Sequence, residues 1–252
     1  TSRNLKLLPY HEELKKAGAC FGVTAGYERP MWYSLNGKIP KYEYSFGFQN
    51  WYPSAKHETI NTRKNVGLFD LSSFSKFDLR GENLHDELQK ISTANIKSIP
   101  GKITYTQMLN EDGGIEVDLS IVCIDKNYFR IVSSAATREH DKIHIQKYLS
   151  DKIKIKDITD DYCCFGLYGP KSREMMQKMS SDDFSNENFK FGSAKFIKIK
   201  DIDIWVQRLS YVGELGYELY VKNEDSKKLY NILLLDGKIF DMSCLLYTSP
   251  SP

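Results

Sequence analysis

The sequence has 252 residues, 41% apolar and 27% charged, enough to bury a core as one large or two small domains. Basic and acidic side chains nearly cancel at a formal +2 and are interleaved along the chain, which argues against nucleic acid or an anionic membrane as a partner. Its most apolar stretches, residues 115–124 and 232–235, fall well short of the roughly 20 residues a membrane-spanning helix needs.

Five cysteines, an odd number without Cys-x-x-Cys spacing, fit a reducing compartment better than a disulfide scaffold. The first residues, Thr1-Ser2-Arg3-Asn4, carry neither a starting Met nor an apolar signal core, so further sequence upstream is expected.

In chain order, residues 10–18 read as a short amphipathic helix after Pro9, closed by Gly18. Residues 27–33 read as an aromatic loop, and residues 43–53 (EYSFGFQNWYP) as an ordered packing surface. Residues 55–65 predict a helix, and residues 66–71 a strand that runs on past Ser72-Ser73 into residues 76–79. A helix follows at 82–91. Beyond the Pro100-Gly101 turn, three strands at 102–109, 115–124 and 128–134 are joined by short Gly- and Asn-containing turns and predict an antiparallel meander.

A helix at 136–149 leads to strands at 153–159 and 162–169, and Pro170 marks the start of a helix through 179. Strands at 194–200 and 203–211, a Gly-Glu-Leu-Gly corner, a strand at 217–221 and a helix at 225–235 complete an α+β order of antiparallel meanders with flanking helices. The last ten residues, SCLLYTSPSP, break the pattern before them and resemble translated adapter sequence.

Asp118 is the first candidate for chemistry, because Asp is unfavourable in the middle of a strand. Period-2 alternation sets Ile115, Val117, Leu119 and Ile121 on one face and Glu116, Asp118 and Ser120 on the other, where the carboxylate meets either water or a polar cleft. Glu214 sits between Gly213 and Gly216, in a corner that either brings backbone close to a ligand or is a plain hairpin loop. His140 and His144 have the i,i+4 spacing of helical zinc ligands but lack a third ligand nearby, so no metal is expected. Neither a Gly-x-Gly-x-x-Gly motif nor a phosphate loop occurs, which leaves no dinucleotide site legible in these residues.

Four ordered segments carry a resemblance: Gly26-Tyr27-Glu28-Arg29-Pro30-x-Trp32-Tyr33, residues 66–74 (VGLFDLSSF), Tyr105-Thr106-Gln107-Met108-Leu109-Asn110 with residues 113–119, and residues 211–219 (YVGELGYEL). Together they resemble the glycine-cleavage T-protein aminomethyltransferases, and more narrowly the folate domain fused to dimethylglycine and sarcosine dehydrogenases. The resemblance spans about residues 10–241 and implies the aminomethyltransferase-type folate-binding fold, truncated at both ends. It divides the chain into 1–36, the end of a flavin-oxidoreductase region, 37–242, the folate-binding domain, and 243–252, a non-native tail.

The resemblance also implies roles. Asp118 matches the family's essential carboxylate, Tyr105 a tyrosine that contacts folate, and Glu214 the acid that pairs with the pterin amino edge, with Tyr211 a weaker match. The implied cofactors are tetrahydrofolate here and FAD in an upstream domain. The implied partners are the small molecules folate and an N-methylated amine, whose oxidised one-carbon unit is captured as 5,10-methylenetetrahydrofolate. Tyr105, Asp118 and Glu214 are then expected to line one concave site. Two other roles resemble the same architecture: a free-standing aminomethyltransferase and a regulator like the pyruvate dehydrogenase phosphatase regulatory protein. Ser72-Ser73-Phe74, in place of the free-standing enzymes' Ser-His-Met, and the Glu28-Arg29-Pro30 segment favour the flavin-fused branch. The implied compartment is bacterial cytoplasm or mitochondrial matrix.

Overall fold

The computed structural model describes residues 2–35 and 37–245. The chain divides into two compact units, one formed by Thr1–Ser72, Tyr162–Lys190 and Phe196–Pro252, the other by Ser73–Asp161 and Phe191–Lys195. Among the described residues no helix is long and apolar enough to cross a membrane.

The larger unit opens with α1 (His11–Lys16) and a two-stranded antiparallel pair, β1 (Ala19–Thr24) with β2 (Tyr27–Tyr33). The segment read as an aromatic loop is therefore a strand. Its alternation is disguised because inward residues on both faces are large, with Tyr27, Trp32 and Tyr33 buried and Glu28 buried against the Arg3 guanidinium at 2.7 Å. The stretch before α2 (Tyr52–Lys64) has no regular structure, and its rings pack on one another: Tyr42 stacks on Tyr44 at 5.7 Å, and Phe48 lies 5.2 Å from Tyr52. Tyr44, Phe46 and Phe48 remain exposed, so this segment does not bury the surface its composition predicts.

A six-stranded sheet forms the body of this unit. Its strands, named in chain order, are β3 (Gly67–Asp70), β9 (Tyr162–Tyr168), β10 (Ala194–Ile199), β11 (Ile202–Gln207), β12 (Gly216–Lys222) and β13 (Ser243–Leu245), and in space they run β10-β11-β12-β9-β3-β13. The parallel pairing of β13 with β3 places three residues of the adapter-like tail in the sheet, and residues 246–252 lie outside the described residues.

One face of the sheet supplies Leu68, Cys163, Phe165, Leu167, Val206 and Leu219 to the core, which α5 (Ser172–Met179) covers with Met175 and Met176 and α6 (Asn223–Gly237) with Leu229, Ile232 and Leu233. Met179 follows Met175 and Met176 by 4 and 3, and Ile232 and Leu233 follow Leu229 by 3 and 4, which makes one apolar stripe per helix. Gly169 (φ +134°) ends β9, where a Cβ would overlap the backbone carbonyls of Asn65 and Thr62.

The smaller unit is a five-stranded antiparallel sheet made of β4 (Ser75–Arg80), β5 (Ile103–Leu109), β6 (Ile115–Asp125), β7 (Tyr128–Ser133) and β8 (Lys154–Asp157), in the order β5-β6-β7-β4-β8. The predicted meander is β5-β6-β7. The single strand expected from 66 to 79 is broken: β3 belongs to one sheet and β4 to the other. The break sits where Asp70 accepts bonds from the Tyr10 hydroxyl (2.8 Å) and the Ser72 amide (3.0 Å), a turn fixed by a partner sixty positions away that local β propensity does not contain.

Phe77, Leu79, Val117, Leu119, Ile121, Phe129 and Ile131 form the core of this unit beneath α3 (Leu84–Ile91) and α4 (Arg138–Tyr148). Burial alternates along β6 from Val117 to Leu119, but Ser120 is buried as well as Ile121, and Ile115 is exposed at the hairpin end.

Candidate functional site

In the smaller unit, the cross-strand register places Gln107 opposite Asp118 and Tyr105 opposite Ser120, so Tyr105, Gln107 and Asp118 share the face turned away from the apolar core. Asp118 is exposed, and its Oδ1 accepts a 2.9 Å bond from the Gln107 amide. The Tyr105 hydroxyl, on a half-exposed ring, also bonds Asp118, and the adjacent carboxylate together with partial burial raises the phenol above its ordinary pKa. Two neutral donors thus orient the carboxylate on the β5–β6 hairpin, and among the described residues no cation pairs with it. Tyr105 and Asp118 lie together on this face. Glu214 and Tyr211 belong to the other unit.

In the larger unit, β11 ends at Gln207, earlier than the strand to Tyr211 that propensity predicts. Arg208 leaves the ladder to donate to the Phe189 carbonyl and to Asn186 Oδ1 (2.7 Å), which turns the chain. Tyr211 lies in the following turn with about half its surface exposed. Glu214 accepts a 2.8 Å bond from Arg63, whose guanidinium also lies against Gly213 (φ +72°). The corner carries a carboxylate already paired with a cation.

The sequence reading missed a second set of residues in this unit. On the sheet face opposite the core, β11 presents Trp205 and Gln207, β12 presents Glu218 and Tyr220, and β9 presents Tyr168. Glu218 is 6% exposed and accepts from the Tyr168 hydroxyl at Oε1 (3.1 Å) and the Tyr220 hydroxyl at Oε2 (2.7 Å). Burial pushes its pKa up, the two hydroxyls only partly offsetting it. The Tyr168 ring lies over Gly166 and Gly216, where a Cβ would overlap it, so both glycines are needed to seat the ring that reaches Glu218. Alternation in residues 217–221 already separates Glu218 and Tyr220 from Tyr217, Leu219 and Val221, a signal present in the sequence.

His140 takes part in no such face. Its Nε2 meets Glu116 at 3.0 Å and its Nδ1 meets Asp141 at 3.3 Å, an arrangement that ties α4 to β6.

Comparison with known proteins supports the fold and its lineage. The chain is 36% identical over 221 residues to 4-methylaminobutanoate oxidase (formaldehyde-forming) of Paenarthrobacter nicotinovorans, covering 87% of this chain and 27% of that protein. It is 32% identical to the mitochondrial dimethylglycine dehydrogenase of Rattus norvegicus, covering 86% and 26%. It is 31% identical to an aminomethyltransferase of Flavobacterium psychrophilum, covering 94% and 60%. The chain therefore spans about a quarter of the length of the first two relatives.

The crystal structure of glycine cleavage system aminomethyltransferase T from Bartonella henselae superposes with a TM-score of 0.77 at 23% identity, over 96% of this chain and 60% of that one. Residues 10–247 match the GCVT N-terminal domain. The chain belongs to that family, the family of the glycine-cleavage T-protein aminomethyltransferases.

Proposed function

We propose that this chain is the folate-binding, one-carbon-accepting domain of a flavin-dependent N-methylamine dehydrogenase or oxidase. The observation that carries the reading is the Tyr105–Gln107–Asp118 face, a solvent-facing carboxylate oriented by two neutral donors on the β5–β6 hairpin. Similarity to an oxidase named for 4-methylaminobutanoate and a dehydrogenase named for dimethylglycine supports the substrate class.

Each unit, taken by itself, offers groups that a reduced folate could use. Asp118 can accept a proton from an amine, while Glu214 and the buried Glu218 offer carboxyl oxygens to N–H donors of a heterocycle. Bound tetrahydrofolate would supply the secondary amine that takes up the one-carbon unit. Asp118 would accept a hydrogen bond from that amine, hold its lone pair toward the incoming carbon, and take the proton released as the new C–N bond forms. Tyr105 and Gln107 keep the carboxylate in that rotamer, and the exposed ring of Tyr105 offers an aromatic wall. Glu214 is assigned to the pterin amino edge, with Arg63 orienting it, and Tyr211 to a ring contact. FAD and the amine would be held by residues of a larger protein, in bacterial cytoplasm or mitochondrial matrix.

A free-standing aminomethyltransferase is the second reading, favoured by the 31% identity to the Flavobacterium enzyme. Joining the chain to the flanking sequence its gene encodes, and replacing Asp118 with Asn, tests the first. Folate binding should persist, and tetrahydrofolate-dependent capture of the one-carbon unit should fall about 10²-fold, the scale of a positioned base. Amine oxidation with an artificial electron acceptor should hold, with free formaldehyde accumulating. Loss of flavin reduction with normal capture per oxidised amine would remove Asp118 from this role.

A further inference from the structure

The larger unit contains a cavity of about 460 Å³, within the size range of small-molecule sites and made of none of the residues assigned to folate. Trp32, Leu35, Ile39 and Pro53 supply its apolar lining, and Lys38 and Lys41 line it as well. Its walls are tied together by the segment's own hydrogen bonds. The Ser34 hydroxyl donates to the Lys38 carbonyl at 2.7 Å, and the Asn50 side chain donates to the Lys41 carbonyl at 2.7 Å while accepting from the Glu43 amide at 3.2 Å. Tyr42 packs edge-on against the Trp32 indole, with ring centroids 6.2 Å apart. The charge at the cavity does not balance. Glu43 pairs with Lys41 at 3.2 Å, and among the described residues Lys38 forms no ion pair. Pro53 and Ser54 open α2 at the cavity, and the first turn of that helix holds neither an acidic residue nor a side-chain cap, so its amide end adds to the positive field.

We propose that this cavity is a second ligand site, for a small monocarboxylate with an apolar body, its carboxylate paired with Lys38 and its body against Leu35, Ile39 and Trp32. One spare cation beside an apolar lining selects this class. An uncharged hydrocarbon would leave Lys38 unpaired, a polyanion would outnumber the cations, and an amine would meet like charge. Lys38 is exposed, so water and salt screen its ion pair, and burial of the apolar body supplies the larger part of the affinity. The site and the folate reading do not depend on each other.

Ligand-observed NMR titration of the 252-residue chain with 4-phenylbutanoate, and with 4-phenylbutanol as its uncharged counterpart, tests the site. Two variants accompany it: Lys38→Glu at the cavity and Lys178→Glu in α5, which makes the same change of net charge elsewhere, both at exposed positions where folding tolerates the exchange. The expected result is saturable binding of the acid, with the alcohol and the Lys38→Glu variant each weaker by about 5-fold or more, the scale of a screened ion pair lost or reversed, and Lys178→Glu unchanged. Equal binding of acid and alcohol, a Lys38→Glu effect no larger than that of Lys178→Glu, or absence of saturable binding by the unaltered chain would each overturn the inference and leave the folate reading intact. Displacement of 4-phenylbutanoate by 5-formyltetrahydrofolate would put the probe in the folate site and overturn it as well.

Discussion

Asp78→Ala should destabilise the smaller unit far more than a typical loss of a charged residue. The Asp78 carboxylate receives Arg130 Nε at 2.7 Å, Arg130 Nη2 at 3.1 Å and the Tyr128 hydroxyl at 2.6 Å, and the side chains of Asp78 and Arg130 are 14% and 6% exposed. Arg80 lies over the Tyr128 ring at 3.5 Å, which adds a second cation to the neighbourhood. Removing this carboxylate takes from the buried Arg130 the counter-charge that Asp78 supplies, a loss of about 3–5 kcal/mol. With a urea dependence of about 1–3 kcal/mol per molar, the unfolding midpoint should drop by at least about 1 M.

Because Arg130 pairs with Asp78 on one side and Val122 of β6 on the other, the damage reaches the strand that presents Asp118. A double replacement, Asp78→Leu with Arg130→Met, removes both charges and should recover most of the loss. Circular dichroism across a urea series decides it. A midpoint shift under about 0.5 M for Asp78→Ala, or a double variant worse than the single one, would refute the claim that burial of the pair sets the cost.

Gly169→Ala should cost several kcal/mol or prevent folding, because both the φ of +134° and the overlap with the Asn65 and Thr62 carbonyls bar a side chain, and soluble yield with thermal melting measures it. In NMR pH titrations, His140 should titrate above the usual 6.5, raised by its bonds to Asp141 and then Glu116, while His144 should titrate below it because burial disfavours its cation. The signs oppose. Stabilisation from charged His140 is complete below about 6.5 and fades as pH rises through its folded pKa, whereas His144 favours the fold only at pH above its own. If the two imidazoles titrated together, the asymmetric partnering of these residues would be wrong.

The order of the β5-β6-β7 meander was legible in the sequence because strand length, turn chemistry and period-2 alternation are local properties. The same alternation set Val117, Leu119 and Ile121 inward and left Asp118 facing out with Tyr105. The four family segments were legible for the same reason: they are short runs whose meaning survives without contacts. Local pattern failed wherever the deciding partner is distant.

The β3 and β4 segments read as one strand until Tyr10 holds Asp70 in a turn, and residues 27–33 read as a loop until β1 pairs with them. Residues 43–53 read as an ordered packing surface because they are rich in aromatics, yet Tyr44, Phe46 and Phe48 stay exposed. Glu214 gained a cation from Arg63, a residue 151 positions away. Gln207 shows the limit most clearly. In sequence it is one polar residue near a strand end, and only the tertiary structure, by burying it beside Glu218 with no partner among the described residues, gives its amide an unmet hydrogen-bonding demand.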